Sequence, residues 1–199
     1  FVNASDFPSM AVMPDGLLDN LKPDEVRDLI AYLASPTQVA LSGPRAPIDP
    51  ETRKVPDAIE GEAMKIIGKT AGDARSQPMR EFAAARWSGD DQLWWTGAKP
   101  GARLDLELPV RTSGTYTLEL VLTKARDYGI VQLLLDDKPL GEPIDLYNAQ
   151  EVITTGVLTF DALSLDAGKH KLSLQITGAN PMAIQSYMVA LDYVRLVPM

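Results

Sequence analysis

The sequence contains no cysteine and a single histidine, and these absences exclude several kinds of site. Without cysteine there is no disulfide framework, no thiol nucleophile and no cysteine-ligated zinc or iron–sulfur centre. His170 alone cannot build a multi-histidine metal site, and no G-x-S-x-G segment accompanies it for Ser-His-Asp catalysis. We therefore expect His170 to play a structural role at the start of a strand.

Long apolar runs and clusters of positive charge are also missing. No segment approaches the roughly 18 consecutive apolar residues of a membrane-spanning helix. Lysine and arginine are scattered singly through a chain whose formal net charge is −8. Because nucleic acids and anionic membrane surfaces are bound by clustered cations, the sequence predicts neither as a partner.

Two short regions precede the main part of the chain. Residues 21–33 predict one helix, because apolar residues recur at i, i+3, i+4 and i+7 and Pro23 suits the first helical position. Residues 37–56 are rich in proline and predict a semi-stiff linker. The first residue, Phe1, is not preceded by an initiator methionine or a signal-like segment, so we expect the chain to be a fragment of a longer protein.

From residue 57 onward the pattern is that of strands. Apolar residues alternate through residues 104–108, 116–122 and 172–176, and turn signals separate these runs at intervals of about 8–12 residues. Near the end, residues 189–196 change parity, which predicts a strand that is buried on both faces or bulged. The sequence thus predicts an all-β fold, an antiparallel β-sandwich of the jelly-roll type, with a short N-terminal helical segment.

All three tryptophans lie within nine residues, at Trp87, Trp94 and Trp95. Adjacent residues of a strand point to opposite faces, so at most one of Trp94 and Trp95 enters the core. The other ring could stack on the C–H face of a sugar. The structural alternative is that Trp87 and Trp94 anchor the core while Trp95 covers them.

Two loops could add hydrogen-bonding groups to such a site. Arg126, Asp127 and Tyr128 precede one strand, and Tyr147 lies in another loop. Their polar and aromatic character suits a ligand loop, although Asp and Asn in turns first indicate hydrogen bonds to their own backbone. The acid pairs at 90–91 and 136–137 also indicate turns, since a glycosidase needs carboxyl groups held about 5–9.5 Å apart across a cleft.

Glu60 and Glu62 are spaced so that both carboxylates share one face of a strand. Calcium takes six to eight oxygen ligands, and two such carboxylates would begin a site. The alternative is a solvated edge strand that carries two surface acids.

Two resemblances to known families extend these expectations. Residues 9–36, with the segment Met13-Pro14-Asp15-Gly16-Leu17-Leu18, resemble the C-terminal end of a cytochrome c-type haem-binding domain of planctomycete and verrucomicrobial proteins. The resemblance implies that Met13 is the axial methionine, that haem belongs to the intact parent rather than to this cysteine-free chain, and that the parent is extracytoplasmic. It also sets the expected domains: 1–36 a truncated cytochrome end, 37–56 a linker and 57–199 a β-sandwich module.

Within residues 57–199, Trp94-Trp95-Thr96-Gly97, residues 124–129 and Asp145-Leu146-Tyr147 resemble a planctomycete C-terminal module of unassigned function. A second, weaker set of motifs comprises Ile59-Glu60-Gly61-Glu62, residues 114–118, 136–141 and 167–172, and Leu191-Asp192-Tyr193. These motifs are similar to those of the CBM6 and CBM35 carbohydrate-binding jelly rolls. In those modules an E-x-E strand and an aspartate of the last strand bind a structural calcium, which implies Glu60, Glu62 and Asp192 as ligands. The resemblance implies a non-catalytic module that binds a polysaccharide.

The sequence therefore predicts a glycan-binding module appended to a haem-binding redox protein, with Trp94, Trp95, Arg126, Asp127, Tyr128 and Tyr147 as its ligand residues. A second hypothesis is a structural or docking domain that packs on other domains of the parent and binds no sugar. It predicts a contiguous exposed apolar patch larger than the roughly 300–600 Å² found on monomers.

Overall fold

The computed structural model describes Lys22, residues 48–83 and residues 86–199. The chain divides into two units, residues 1–41 and 42–199, and the strands described below belong to the second. The predicted helix at 21–33 and the axial residue Met13 lie outside the described residues. Within the described part, no helix is long and apolar enough to cross a membrane.

Twelve strands are found in the described part of the chain. They are β1 (Ile59–Glu60), β2 (Ile66–Lys69), β3 (Asp73–Pro78), β4 (Asp91–Thr96), β5 (Arg103–Val110), β6 (Gly114–Lys124), β7 (Ile130–Leu135), β8 (Lys138–Asp145), β9 (Ile153–Thr154), β10 (Leu158–Leu165), β11 (Gly168–Gly178) and β12 (Val189–Pro198). Short 3-10 turns occupy Gly61–Ala63 and Ser88–Asp90.

The strands form two antiparallel sheets. The first has the order β10-β6-β12-β4-β3, with β1 also paired to β12 and β9 to β6, and the second has the order β2-β5-β11-β7-β8. Every pairing between these strands is antiparallel. The predicted all-β, antiparallel sandwich of the jelly-roll type is confirmed.

The core lies between the two sheets and is built from the alternating residues that the sequence singled out. Leu104, Leu106 and Leu108 of β5 and Leu118, Leu120 and Leu122 of β6 are fully buried, as are Leu172 and Leu174 of β11. Because the side-chain period of a strand is two, each of these runs turns every second residue inward. Burying one such leucine stabilises the fold by about 1.5–3 kcal/mol.

The last strand, β12, is both bulged and buried on both faces, as the change of parity predicts. Residues 189–194 are all buried. Leu191 pairs with Leu122 and Tyr193 with Val121, so the register shifts by one residue at Asp192. The bulge turns the Asp192 side chain into the polar cluster described below.

A second, smaller apolar cluster lies on the opposite side of the first sheet from the core. Val121 and Tyr193 are buried there beneath Val55, with Ile48 and Ala58 packed against them. We call residues 48–58 the strap. Ile48 and Val55 lie within the region 37–56 that was predicted as a linker, and both pack on this cluster. Pro50 and Pro56 lie between the apolar residues 48, 55 and 58, and they interrupt any regular pattern that could have marked this contact.

Candidate functional site

Three loops meet at one end of the sandwich, residues 125–129, 145–148 and 180–188, and we call this region the loop end. Isolated bridges join Ala125 to Tyr147 and Tyr128 to Met188. The N–H of Ile184 donates to the carbonyl of Arg126 at 2.8 Å. The structure therefore brings together the two loops that the sequence analysis singled out and adds a third.

The side chains at the loop end differ in exposure. Arg126 is exposed, whereas Asp127, Tyr147 and Tyr187 are half-buried. Two apolar side chains also face solvent here, Met182 at 76% and Ile184 at 53% exposure. The third loop follows the Gly178–Pro181 turn and contains Tyr187, whose stretch Gln185-Ser186-Tyr187 has the same polar and aromatic character as the other two loops.

Tyr128, unlike the other side chains at the loop end, is buried and only 4% exposed. Burial raises the pKa of its hydroxyl, and a hydrogen bond to the Gln92 side chain only partly offsets that effect. The ligand role expected for Tyr128 does not fit its position, since a tyrosine in the core offers no ring face to a sugar.

The three tryptophans are divided between interior and surface. Trp95 is 1% exposed and its indole N–H donates to the Ala71 carbonyl at 2.9 Å. Trp87 is equally buried, and its indole N–H donates to the Thr123 hydroxyl at 2.9 Å. Trp94 is half-buried. Trp95 is therefore a core residue and has no ring face free to stack on a sugar. The structural alternative placed Trp94 in the core with Trp95 covering it, and the two rings are found the other way round.

Trp94 has one ring face next to a cation. The Arg75 guanidinium carbon lies 5.0 Å from the Trp94 ring centroid. Arg75 of β3 and Ala190 of β12 are the direct cross-strand neighbours of Trp94 in the sheet. A cation–π contact at an exposed site contributes about 0.5–1 kcal/mol, so this stack is weak enough to rearrange around a ligand.

A cluster of acidic side chains lies at the meeting point of β1, β12 and the Ser88–Asp90 turn. Asp192 is 1% exposed and Glu60 is 5% exposed. Ser88 connects them, because its hydroxyl donates to Glu60 Oε1 and its N–H donates to Asp192 Oδ1, both at 2.9 Å. The sequence analysis did not find Ser88, whose sequence context is that of an ordinary turn residue.

The pKa values of all three carboxyl groups are raised, and burial is the largest cause for each. Burial and the charges of Glu60 and Glu62 raise the pKa of Asp192 to about 9. Burial also raises the pKa of Glu60 and of Glu62, and the charges of Glu60 and Asp91 raise that of Glu62 further. The E-x-E spacing predicted that Glu62 shares a strand with Glu60. Glu62 instead lies in the 3-10 turn that follows β1.

Two observations bear on whether this cluster suits a cation. Glu60 Oε2 and Glu62 Oε2 are buried and have no hydrogen-bond partner. Within residues 48–83 and 86–199, however, no three histidine, aspartate or glutamate side chains are arranged as a ready metal-ligand set. The free oxygens therefore fit a hard, oxygen-seeking cation in chemistry, but they are only two of the six to eight ligands that calcium takes and are not drawn together around one point.

Asp90, Asp136 and His170, which the sequence analysis also considered, form ion pairs or hydrogen bonds at turns. Asp136 Oδ2 lies 2.6 Å from His170 Nδ1, and Asp90 forms ion pairs with Arg53 and Arg80. Asp90 and Asp136 both have positive φ. These carboxylates hold turns and pair with cations rather than opposing each other across a cleft.

Comparison with known proteins gives likeness in fold only. No protein-family model matches the chain, and no curated protein matches it. Part of a xanthan lyase from Paenibacillus aligns with a TM-score of 0.62 and 23% identity, over 75% of this chain and 14% of that one. This chain thus corresponds to a small part of the lyase, and the alignment shows a shared β-sandwich.

Solved carbohydrate-binding modules also align. A family 35 carbohydrate-binding module from an environmental isolate gives a TM-score of 0.47 at 15% identity, over 70% of this chain and 91% of the module. A CBM36 module in complex with calcium and xylotriose gives a TM-score of 0.41 at 15% identity, over 70% of this chain and 98% of the module.

Proposed function

We propose that residues 42–199 form a non-catalytic module that binds a polysaccharide at the loop end. The observation that carries this proposal is the convergence of three hydrogen-bonded loops that present half-buried Tyr147 and Tyr187 beside Arg126 and Asp127. A half-buried aromatic ring is fixed by its neighbours yet keeps one face for a sugar. Charged groups beside it then set the orientation of the hydroxyls.

Trp94 provides a second aromatic surface near the same end of the sandwich. It pairs with Ala190, two residues from Met188, which is bridged to Tyr128 in the loop end. A glycan longer than one sugar could extend from the loop end toward this ring. Of the residues expected to bind ligand, the proposal keeps Trp94, Arg126, Asp127 and Tyr147 and leaves out the buried Trp95 and Tyr128.

Glu60, Glu62 and Asp192 are proposed to hold a structural calcium ion. Their support is the pair of buried, unpartnered carboxylate oxygens on Glu60 and Glu62 and the closeness of both charges to Asp192. A bound calcium ion would supply the partner that these two buried oxygens lack. The ion would then stabilise the fold and take no part in chemistry.

Affinity electrophoresis of the protein in gels that contain different polysaccharides tests the binding proposal. Tyr147→Ala and Arg126→Ala should each lower the affinity at least about tenfold, the size of a loss of 1.4 kcal/mol. Arg111→Ala, an exposed arginine outside the loop end, and Phe82→Ala, an exposed aromatic, should retain wild-type affinity. Retardation by no polysaccharide, or equal losses in the controls, would overturn it.

A docking domain is the second candidate function, and the exposed Met182 and Ile184 favour it. Exposed apolar side chains on one loop are typical of a protein interface. Under this alternative, Met182→Ser and Ile184→Ser should weaken association with the rest of the parent protein in a pull-down. Polysaccharide binding that survives both changes would favour the glycan-binding proposal.

The resemblance of residues 9–36 supports the remaining part of the proposal, that the module is appended to an extracytoplasmic haem-binding redox protein. Met13 would then be an axial ligand of haem in the intact parent. The division of the chain at residues 41 and 42 is compatible with a domain boundary there. The absorbance spectrum of the parent purified from its native host tests this, since a protein without a haem band would contradict it.

A further inference from the structure

A cavity lies on the outer side of the first sheet, away from the core. It is bounded by the strap, by Val121 of β6, by residues 154–157 and by Tyr193 of β12, and we call it the strap cavity. Its volume is about 290 Å³, including the part that is open to solvent. Pockets for drug-sized ligands measure roughly 300–1,000 Å³, so this cavity suits only a small molecule.

Much of the wall of the strap cavity is apolar. Val55 and Val121 are buried and form the smaller apolar cluster together with Tyr193, and Val157 packs against that cluster. These three valines have no polar side-chain atom to offer a ligand. They favour a ligand that has an aliphatic part, since that part leaves water when it enters the cavity.

Tyr193 places a polar atom in these apolar surroundings. Its side chain is 2% exposed, and its hydroxyl group is buried without a hydrogen-bond partner. A buried hydroxyl that lacks a partner lowers the stability of the fold, and a ligand that supplies the partner recovers this loss. A tyrosine hydroxyl can donate one hydrogen bond, so the ligand should carry an acceptor oxygen.

Arg86 adds a positive charge to the wall of the cavity. Its Nη1 donates to the Val152 carbonyl at 3.3 Å. Among the residues that the structure describes, no carboxylate forms an ion pair with Arg86. Arg80 and Arg195, by contrast, are paired with Asp90 and Glu119. Because the planar guanidinium group matches a carboxylate in geometry and charge, Arg86 indicates an anionic ligand.

Asp192 also borders the cavity, and its carboxyl group is engaged on the side of Ser88. Its Oδ1 accepts a hydrogen bond from the Ser88 N–H at 2.9 Å, and the Ser88 hydroxyl donates to Glu60. The acid on the wall is thus held by Ser88 and does not pair with Arg86. The partner of Arg86 is left for a ligand to supply.

We propose that the strap cavity binds a small aliphatic monocarboxylate such as butyrate. Arg86 and the Tyr193 hydroxyl bind the carboxylate group, and the alkyl chain packs against the valines of the wall. Inorganic phosphate matches the charge of Arg86 but not the apolar wall, whereas a neutral amide matches the wall but leaves Arg86 unpaired. The strap cavity shares no residue with the loop end, so this site is additional to the proposed polysaccharide site.

An NMR titration of the full ¹⁵N-labelled chain with sodium butyrate tests the inference. The amide signals of Val121, Thr154 and Tyr193 should shift and saturate with a Kd of about 1 mM or lower. Amides of β5 and β11, in the other sheet, should not shift. Butanamide, which has nearly the same shape without the charge, and inorganic phosphate should each bind at least about tenfold more weakly than butyrate.

Two variants each remove one polar group from the wall. Tyr193→Phe should weaken butyrate binding at least about tenfold, while its stability without butyrate should equal or exceed that of wild type, because the lost hydroxyl had no partner. Arg86→Met keeps much of the aliphatic stem and should weaken binding by a similar factor. Arg111→Met is the matched control, since Arg111 is exposed and lies outside the cavity, and it should bind butyrate as wild type does.

Several results would overturn the strap cavity as a carboxylate site. They are the absence of saturable shifts with butyrate, equal binding of butanamide, tighter binding of phosphate, and wild-type affinity in Tyr193→Phe. If Arg86→Met fails to fold, Tyr193→Phe decides alone, because it removes a single atom that makes no hydrogen bond. None of these results depends on whether the chain binds a polysaccharide.

Discussion

Trp94 and Trp95 are neighbours in β4 and yet lie on opposite faces of the same sheet. Trp95 pairs with Val189 and Ala74 and enters the core, whereas Trp94 pairs with Ala190 and Arg75 on the other face. Strand alternation requires the split. Leu93, which shares its face with Trp95, is buried as well.

Replacing the two tryptophans by alanine should separate stability from binding. Trp95→Ala leaves a cavity and should lower the free energy of unfolding by about 3–5 kcal/mol, whereas Trp94→Ala should cost much less. Urea denaturation followed by circular dichroism measures both. Trp94→Ala should in turn lower polysaccharide affinity, with only this smaller loss of stability. Similar losses of stability in the two variants would contradict the assignment of faces.

Gly72 should be required for the anchoring of Trp95. It has a φ of +76°, and a Cβ there would lie 2.4 Å from the Thr96 carbonyl oxygen and 2.9 Å from Trp95 Nε1. Gly72→Ala should therefore destabilise the protein more than the roughly 1–2 kcal/mol of left-handed strain alone. Gly101→Ala is the matched control, because Gly101 has a φ of +90° and a Cβ added there would meet no atom within 4 Å. If thermal unfolding shows the same loss of stability in Gly72→Ala and Gly101→Ala, the close contacts of Gly72 with Thr96 and Trp95 do not contribute.

The fold was predictable because its signals are local. The alternation in β5, β6 and β11 is read directly from the sequence, and so is the parity change in β12. The strap was missed for a physical reason: it is held by single contacts of Val55 and Arg53 with residues about 35 positions away, and no periodicity marks them.

The site was predictable in part. The acids at 60, 62 and 192 were named from a resemblance. The structure joins Glu60 and Asp192 through Ser88, which has no sequence signal beyond its place in a turn. For the aromatic residues, strand alternation predicted the opposition of Trp94 and Trp95 but not which ring is buried. Tyr128 looked like a loop residue, and its burial in the core comes with tertiary contacts, such as the bridge to Met188, that no local pattern marks.

His170 should make stability depend on pH. Its Nδ1 lies 2.6 Å from Asp136 Oδ2 and its Nε2 lies 2.8 Å from the Asp166 carbonyl, so both ring nitrogens face acceptors. Partial burial lowers the pKa of His170, but these two hydrogen bonds outweigh it and raise the pKa above its usual value. The imidazolium can donate to both acceptors, whereas neutral imidazole can donate to only one.

The sign follows from the raised pKa. The stabilisation by His170 is fully present below its unfolded pKa of about 6.5 and is lost as the pH rises through the higher folded pKa. The difference in unfolding free energy between wild type and His170→Gln should thus be largest near about pH 5.5 and shrink toward about pH 9. Lys171, Asp137 and Asp136 also lie at this turn, so Asp136→Asn is a second variant. If the difference in unfolding free energy between wild type and His170→Gln does not change with pH, the predicted role of the His170–Asp136 contact is wrong.

Arg103 should hold the β7–β8 turn to the face of the second sheet. Its side chain forms ion pairs with Asp105 and Asp137 and donates to the Ser173 hydroxyl, which in turn donates to Asp105. A half-buried network of this kind is worth more than an isolated surface pair, so Arg103→Met should cost about 1–3 kcal/mol. Lys169→Met, which loses only an exposed pair with Glu107, should lower the free energy of unfolding by at most about 1 kcal/mol.

Arg103→Lys should restore little of the stability lost in Arg103→Met. The planar guanidinium of Arg103 bonds to Asp105 and Asp137 at once, whereas the compact ammonium of lysine cannot reach both carboxylates. Chemical denaturation measures the free energy of unfolding of all three variants. If Arg103→Lys is as stable as wild type, the positive charge alone is enough to hold the turn.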